Sequence, residues 1–150
     1  GFTEFVPLSF VHYDSPLYLE NPSLVRAGAT DNEIELMHAV ARIVLHGFID
    51  NIQVSWTKLG AEKARNLLSM GVNDLGGTLM NESISRAAGS KNGQEITEAE
   101  MVQIIRSARK TPIRRDTLYR TLKTYNQQDT VDNSSPLVSR NGSNPLSFLN

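Results

Sequence analysis

Not one cysteine occurs in the 150 residues. That removes disulfides, thiolate zinc sites, a nucleophilic thiol and any cysteine-ligated iron–sulfur cluster from what the chain itself can supply. Long apolar runs are missing too. No stretch approaches the roughly 18 residues that cross a bilayer, and no signal-peptide pattern is visible, so no membrane is an expected partner. Neither sign of charge dominates, with 15 Lys+Arg against 16 Asp+Glu. What is present is a hydrophobic share of 39%, enough for a core in a chain of about one-domain length. The chain opens on Gly1-Phe2-Thr3, already inside an apolar run, and reads as a piece cut from a longer protein.

The near-neutral total hides an uneven distribution. Residues 106–125 carry Arg106, Arg109, Lys110, Arg114, Arg115, Arg120 and Lys123 against Asp116 alone. A basic segment of this kind can bind phosphate or nucleic acid. No nucleic-acid motif accompanies it, so a solvated helix face and surface loop is the expectation, with no nucleic-acid partner.

The pattern of elements alternates. Phe2–His12 is rich in aromatic and β-branched residues and suits a buried strand, with Pro7 unable to donate to a ladder. Thr30-x-x-Glu33 is a capping box opening a helix to about His46, with Ile34, Met37, Ala41, Val44 and Leu45 on its apolar side. Residues 52–56 alternate strictly as a strand, Ile52, Val54 and Trp56 on one face and Gln53 and Ser55 on the other. A helix from about Gly60 to Met70, a strand from Val72 to Leu79 and a short helix from Glu82 to Ala88 follow. The order predicts an α/β fold with a parallel sheet and covering helices. Thr97-x-x-Glu100 opens a last helix before Pro112. Of the 25 residues from 126 to 150, 18 are Asn, Gln, Ser, Thr, Asp, Gly or Pro, which marks them as a disordered polar tail after a folded part at 1–125.

In parallel α/β barrels the functional groups sit where strands end. Three places qualify. His12 closes the first strand with a group able to move a proton near neutral pH, and Glu4 shares its face by parity. Gln53 and Ser55 are polar where both faces of a strand are normally covered, so either an internal network or a ligand satisfies them. In Asn73-Asp74-Leu75-Gly76-Gly77-Thr78-Leu79-Met80-Asn81-Glu82, alternation puts Asp74, Thr78 and Glu82 on one side. The paired glycines mark a close approach by backbone or ligand. Trp56 is expected to pack rather than stack on a substrate. His38, Arg42 and His46 are helix-spaced, but Arg in the middle and no completing carboxylate make them a solvated face.

The words GFTEFVPLSFVH, MHAVARIVLHG, NIQVSWTKLG and GVNDLGGTLMNESISRAAG, followed by Gly93-Gln94-Glu95, closely resemble one family over Gly1–Thr117. They resemble the radical S-adenosylmethionine enzymes that make the deazaflavin FO, in particular the tyrosine 4-hydroxybenzyl-transferring half of FO synthase. The resemblance implies the carboxyl-terminal part of a (β/α) TIM-type barrel. It also implies a [4Fe–4S] cluster on a C-x-x-x-C-x-x-C motif and S-adenosyl-L-methionine as cofactors of the full-length protein. L-tyrosine and 5-amino-6-(D-ribitylamino)uracil are then the substrates. The amino-terminal barrel half and a fused or separate FO-cyclising half-enzyme become the expected partners. Gln53, Ser55, Asn73, Asp74 and Thr78 fall in the matching words as substrate-binding candidates, with His12 and Glu82 as catalytic candidates.

This sequence departs from the family pattern at its start, because the cluster-binding cysteines are absent. The 150 residues alone are accordingly expected to be inactive, to bind no iron and to expose unpaired strand edges. Two other readings stand beside this one. One is a relative acting on a futalosine compound in menaquinone synthesis, which shares similar words. The other is a non-catalytic binding module using the basic segment. The Ser/Asn-rich tail suggests a eukaryotic source, with the cytoplasm or a plastid as the compartment.

Overall fold

The computed structural model describes residues 1–78, 87–89, 95–131 and the strand at 145–149. Helix α1 is Pro16–Glu20 and α2 is Asp31–Val44. The expected capping box is in place on α2. Thr30 Oγ1 accepts from the Glu33 amide at 3.4 Å, and the Thr30 amide donates to Glu33 Oε2 at 2.8 Å. The same reciprocal pair starts α5, Glu98–Ser107, where the Thr97 amide reaches Glu100 Oε2 at 2.7 Å. Between them the single helix expected from about residue 60 is two, α3 at Trp56–Leu59 and α4 at Ala61–Leu67. The break is Gly60, whose φ of 81° no helix accommodates.

Strand pairing is more economical than the alternation suggested. Phe2–His12 forms no regular strand. It makes one parallel bridge, Phe5 to Ile52, and the next parallel bridge joins Gln53 to Asp74. Pro7 has no N–H to continue the first ladder. The three segments still lie side by side in parallel, as the order predicted. The regular sheet is built from antiparallel pairs in the order β1-β4-β2-β3, with β1 at Asp74–Gly77, β2 at Thr111–Arg115, β3 at Thr121–Thr124 and β4 at Pro145–Leu149. Strand β4 comes from the stretch expected to be a polar tail. Its Pro-Leu-Ser-Phe-Leu is the most apolar part of that tail, and it pairs with β1 on one side and β2 on the other. The expected short helix at Glu82–Ala88 lies mostly outside the described residues.

One hydrophobic cluster holds these elements together. Ile52, Val54 and Trp56 are all buried, as the alternation required, and pack with Ala64, Leu67, Leu68, Val72, Leu75, Met101, Val102 and Ile105. The buried stripe of α2 matches the expected one only in part, at Ile34 and Ala41, with Leu45 packed against the core. His38 completes it, while Met37 and Val44 are exposed. Among the described residues no helix is long and apolar enough to cross a membrane.

Candidate functional site

The chemistry-bearing side chains of β1 and its neighbours form a polar chain that runs from the buried Asp74 and Arg115 to the half-buried Tyr119 and the exposed Glu4. Asp74 opens β1, and its side chain is wholly buried. Its Oδ1 accepts from the Gly76 amide at 2.6 Å, and its Oδ2 accepts from Arg115 Nε at 2.8 Å and from Arg115 Nη2. Arg115 sits at the end of β2 and is only 3% exposed. Its guanidinium lies 3.7 Å over the ring of Tyr119 and donates to the Tyr119 hydroxyl at 3.1 Å. That hydroxyl in turn donates to the exposed Glu4.

This arrangement overturns the expectation of a solvated face for the whole basic segment. Arg115 is sealed in an ion pair, Arg114 Nη1 reaches Glu98 at 3.3 Å, and Tyr125 is buried with its hydroxyl on the same glutamate. Burial raises the Asp74 carboxyl above the ordinary range, with the Arg115 guanidinium and the Gly76 amide pulling it down. Burial also raises the Tyr119 phenol, reinforced by the Asp74 charge and the bond to Glu4. The phenol therefore stays protonated and donating.

Gly76 connects this chain to Gln53. The register of β1 against β4 slips between Asp74 and Gly76, and Gly76 has φ +75°. The Gln53 carboxamide occupies the space that a β-carbon would take, its Nε2 2.9 Å from that position. The paired glycines thus admit a side chain of this chain, the close approach that their place in a strand suggested. Ser55 Oγ lies 3.1 Å from Thr57 Oγ1. Trp56 packs as expected, and its indole N–H donates to the Gly77 carbonyl at 3.2 Å.

Asn73 is occupied differently. Its Oδ1 accepts from the Ile52 amide at 2.9 Å and from Arg42 Nη2 at 2.7 Å. Arg42 also donates to the carbonyls of Gly71 and Asp50, each at 2.7 Å. It is therefore a clamp tying α2 to two parallel segments. The solvated row expected of His38, Arg42 and His46 holds only for His46. His38 is buried, its Nδ1 2.7 Å from the Ile34 carbonyl and its Nε2 without a partner among the described residues. Burial lowers its basicity.

His12 lies apart from these groups. Its ring stacks on Tyr13 at 4.3 Å between centroids and meets Tyr18 edge-on at 5.0 Å. It lines a cleft of about 680 Å³ between the 9–13 segment, the first turn of α2 and the Lys58–Lys63 turn. Lys63 ties this cleft together through Glu35 at 2.6 Å and Asp31 at 3.3 Å. Thr78 is half-buried just beyond β1, and Glu82 lies outside the described residues. No local pattern signalled the roles of Arg115, Tyr119 or Arg42. Each pairs with a residue more than 25 positions away, beyond any local pattern.

A cluster held by three thiolates does not fit these residues. The chain has no cysteine, and among the described residues no group of three or more His, Cys, Asp or Glu gathers where a metal ion would be held.

The described residues thus form a mixed α/β unit with three segments bridged in parallel and a small antiparallel sheet. The family profile described as the CofH/MqnC C-terminal region matches residues 1–128, and the chain belongs to that family. A relative from Methanopyrus kandleri, a 5-amino-6-(D-ribitylamino)uracil–L-tyrosine 4-hydroxyphenyl transferase, is 50% identical over 125 residues. The match covers 83% of this chain and 33% of that protein. A transferase of the same name from Methanococcoides burtonii is 46% identical over 82% of this chain and 35% of its own length. An FO synthase from Mycobacterium leprae is 52% identical over 119 residues, 79% of this chain and 14% of its own. The chain thus spans about a third of the transferases and a seventh of the FO synthase. No solved structure matches it.

Proposed function

We propose that this chain forms the carboxyl-terminal part of a transferase that joins a tyrosine-derived 4-hydroxybenzyl group to 5-amino-6-(D-ribitylamino)uracil in the making of FO. The observation that carries this reading is the 50% identity over 125 residues to a relative bearing that transferase name. Parallel bridging of three successive segments, with α2 and α4 between them, supports a place in a (β/α) barrel. In that setting Gln53, Ser55 and Thr78 are the substrate contacts. The amide and hydroxyls match the uracil edge and ribityl chain as donors and acceptors.

Asp74 and Asn73 act one step back. Asp74 fixes the Gly76 turn on which Gln53 rests, and Asn73 fixes the strand spacing. His12, and Glu82 beyond β1, handle the phenol or amine proton of tyrosine. The cluster expected of the full-length enzyme is held by other residues, since this chain has no cysteine to ligate it.

A chimera tests this. Residues 1–125 of this chain replace the matched region of the Methanopyrus kandleri enzyme, and product is followed from tyrosine and the ribitylaminouracil. Turnover is expected. Gln53→Ala in the chimera is expected to lower it more than about tenfold with iron content unchanged, the effect of an uncompensated polar contact of about 1.4 kcal/mol. Turnover of a futalosine compound instead would reassign the substrate. Full activity in the Gln53 variant would remove that residue from the site.

A further inference from the structure

The turn between β2 and β3 holds one side chain in a conformation that its residue type does not favour. Tyr119 has φ +62°, in the left-handed region that a bulky residue rarely adopts. The turn enforces it. Asp116 Oδ1 accepts from the Leu118 and Arg120 amides, each at 2.9 Å, and the Asp116 amide donates to the Arg120 carbonyl at 3.0 Å. The Tyr119 ring is thereby laid against the Arg115 guanidinium, 3.7 Å from its centre. Its hydroxyl accepts from Arg115 Nη2 at 3.1 Å and donates to Glu4. Backbone strain of this kind persists only where the surroundings over-determine it, and it concentrates at functional sites.

Inward from Arg115 the connections lead to a single side chain. Arg115 Nε donates to Asp74 Oδ2 at 2.8 Å, and Asp74 Oδ1 accepts from the Gly76 amide at 2.6 Å. Gly76 then meets the Gln53 carboxamide, whose Nε2 lies 2.9 Å from where a β-carbon would stand. That carboxamide makes no hydrogen bond among the described residues. Contact with Gly76 therefore sets where it lies, and its N–H donors and carbonyl acceptor are left for a ligand. A uracil edge offers an adjacent carbonyl and N–H in one plane, the complement of a carboxamide. Free tyrosine has no such edge.

We propose that Arg115 and Tyr119 are positioning residues for the Gln53 carboxamide, acting through Asp74 and Gly76, and that they govern recognition of the uracil substrate and not of tyrosine. This rests on the reading of Gln53 as a substrate contact in a transferase. It adds which distant residues aim that contact and which of the two substrates depends on them. A two-point hydrogen bond weakens steeply once its plane turns, so a small shift of Gly76 is felt at the ligand.

Kinetics on the chimera test this, with the ribitylaminouracil and tyrosine varied separately. Tyr119→Phe removes the hydroxyl alone, and Arg115→Lys keeps the charge opposite Asp74 while losing the planar fork. KM for the uracil is expected to rise about threefold in the first and about tenfold in the second. KM for tyrosine and the iron content stay as they were. In a Gln53→Ala background neither substitution is expected to add a further loss, because the group they aim is gone. A general loosening of the fold would instead raise both KM values and add to Gln53→Ala. Either of those results, or uracil kinetics unchanged in both variants, overturns the proposal. A crystal structure of the Tyr119→Phe chimera reads the same point without turnover. The Gln53 carboxamide is expected to have moved off the Gly76 α-carbon, and one that stays in place overturns the positioning role. A displaced carboxamide in a chimera that makes no product would count against the transferase reading alone. Full activity of Gln53→Ala would remove the contact and its positioning together.

Discussion

At the scale of single residues, the pair that matters most is Asp74 with Arg115. Both are buried, and the carboxylate uses Oδ1 on the Gly76 amide and Oδ2 on the guanidinium. Removing one partner leaves the other as an uncompensated buried charge, which typically costs about 3–5 kcal/mol. Arg115→Met is therefore expected to lower the urea-unfolding free energy by about that much. The double variant Asp74→Asn with Arg115→Met is expected to lose clearly less than the sum of its singles, because the orphaned charge is gone. Additive losses would show that the pair is not coupled. Half of this pair was legible: Asp74 stood out as a carboxylate on the polar side of its strand. Arg115 did not, because it sat in a run of basic residues whose local pattern looked solvated, and its partner lies 41 positions away. The same holds for Gly76, where the sequence signalled a close approach but not that Gln53 makes it.

At the scale of elements, α2 shows where local rules are strong and where tertiary packing decides. Its start was readable to the residue, because the capping box is a contact across three positions. In that box Arg26 and the Thr30 amide hold the Glu33 carboxyl down to about 2. The buried face of α2 was read in part: Ile34 and Ala41 are in the core and Leu45 packs against it, but His38 takes a core position and Met37 and Val44 do not. Hydrophobicity alone ranks methionine and valine above histidine, yet a neutral imidazole is tolerated once its ring N–H donates to the Ile34 carbonyl.

That placement makes stability depend on pH in a definite direction. Burial lowers the basicity of His38, so the folded state resists the proton that the unfolded chain accepts. Nothing is lost above about pH 6.5, where both states hold neutral imidazole. As pH falls below that value the unfolded chain binds more protons, and stability drops until the folded imidazole also charges. His38→Gln is expected to flatten this part of the profile, measured as urea midpoints between pH 8 and 5 against the unsubstituted chain. Parallel profiles would show that His38 charges as readily inside the fold as outside it.

At the scale of the whole molecule, the chain order of elements was readable and the closing of the sheet was not. Alternating strand and helix patterns correctly placed Phe5, Ile52–Gln53 and Asp74 as parallel neighbours, because strands joined through a covering helix usually lie beside one another in parallel. The antiparallel part depends on β4, which lies beyond the family-matched residues and sits between β1 and β2. No periodicity in a polar tail announces a five-residue strand of that kind. Its position gives it a specific mechanical role. A chain ending at Val131 loses the only strand that hydrogen-bonds β1 to β2 in the described sheet. The amides of β1 and β2 are then expected to exchange faster while those of α2, which does not touch this sheet through hydrogen bonds, keep their protection. The Asp74–Arg115 ion pair would remain as the one named link between the two strands. Arg115→Met is therefore expected to cost more in the shortened chain than in the full one, a coupling that a double-mutant cycle by urea unfolding reads directly. Equal costs in the two backgrounds, or unchanged exchange in β1 and β2, would mean that β4 does not carry the joint between them.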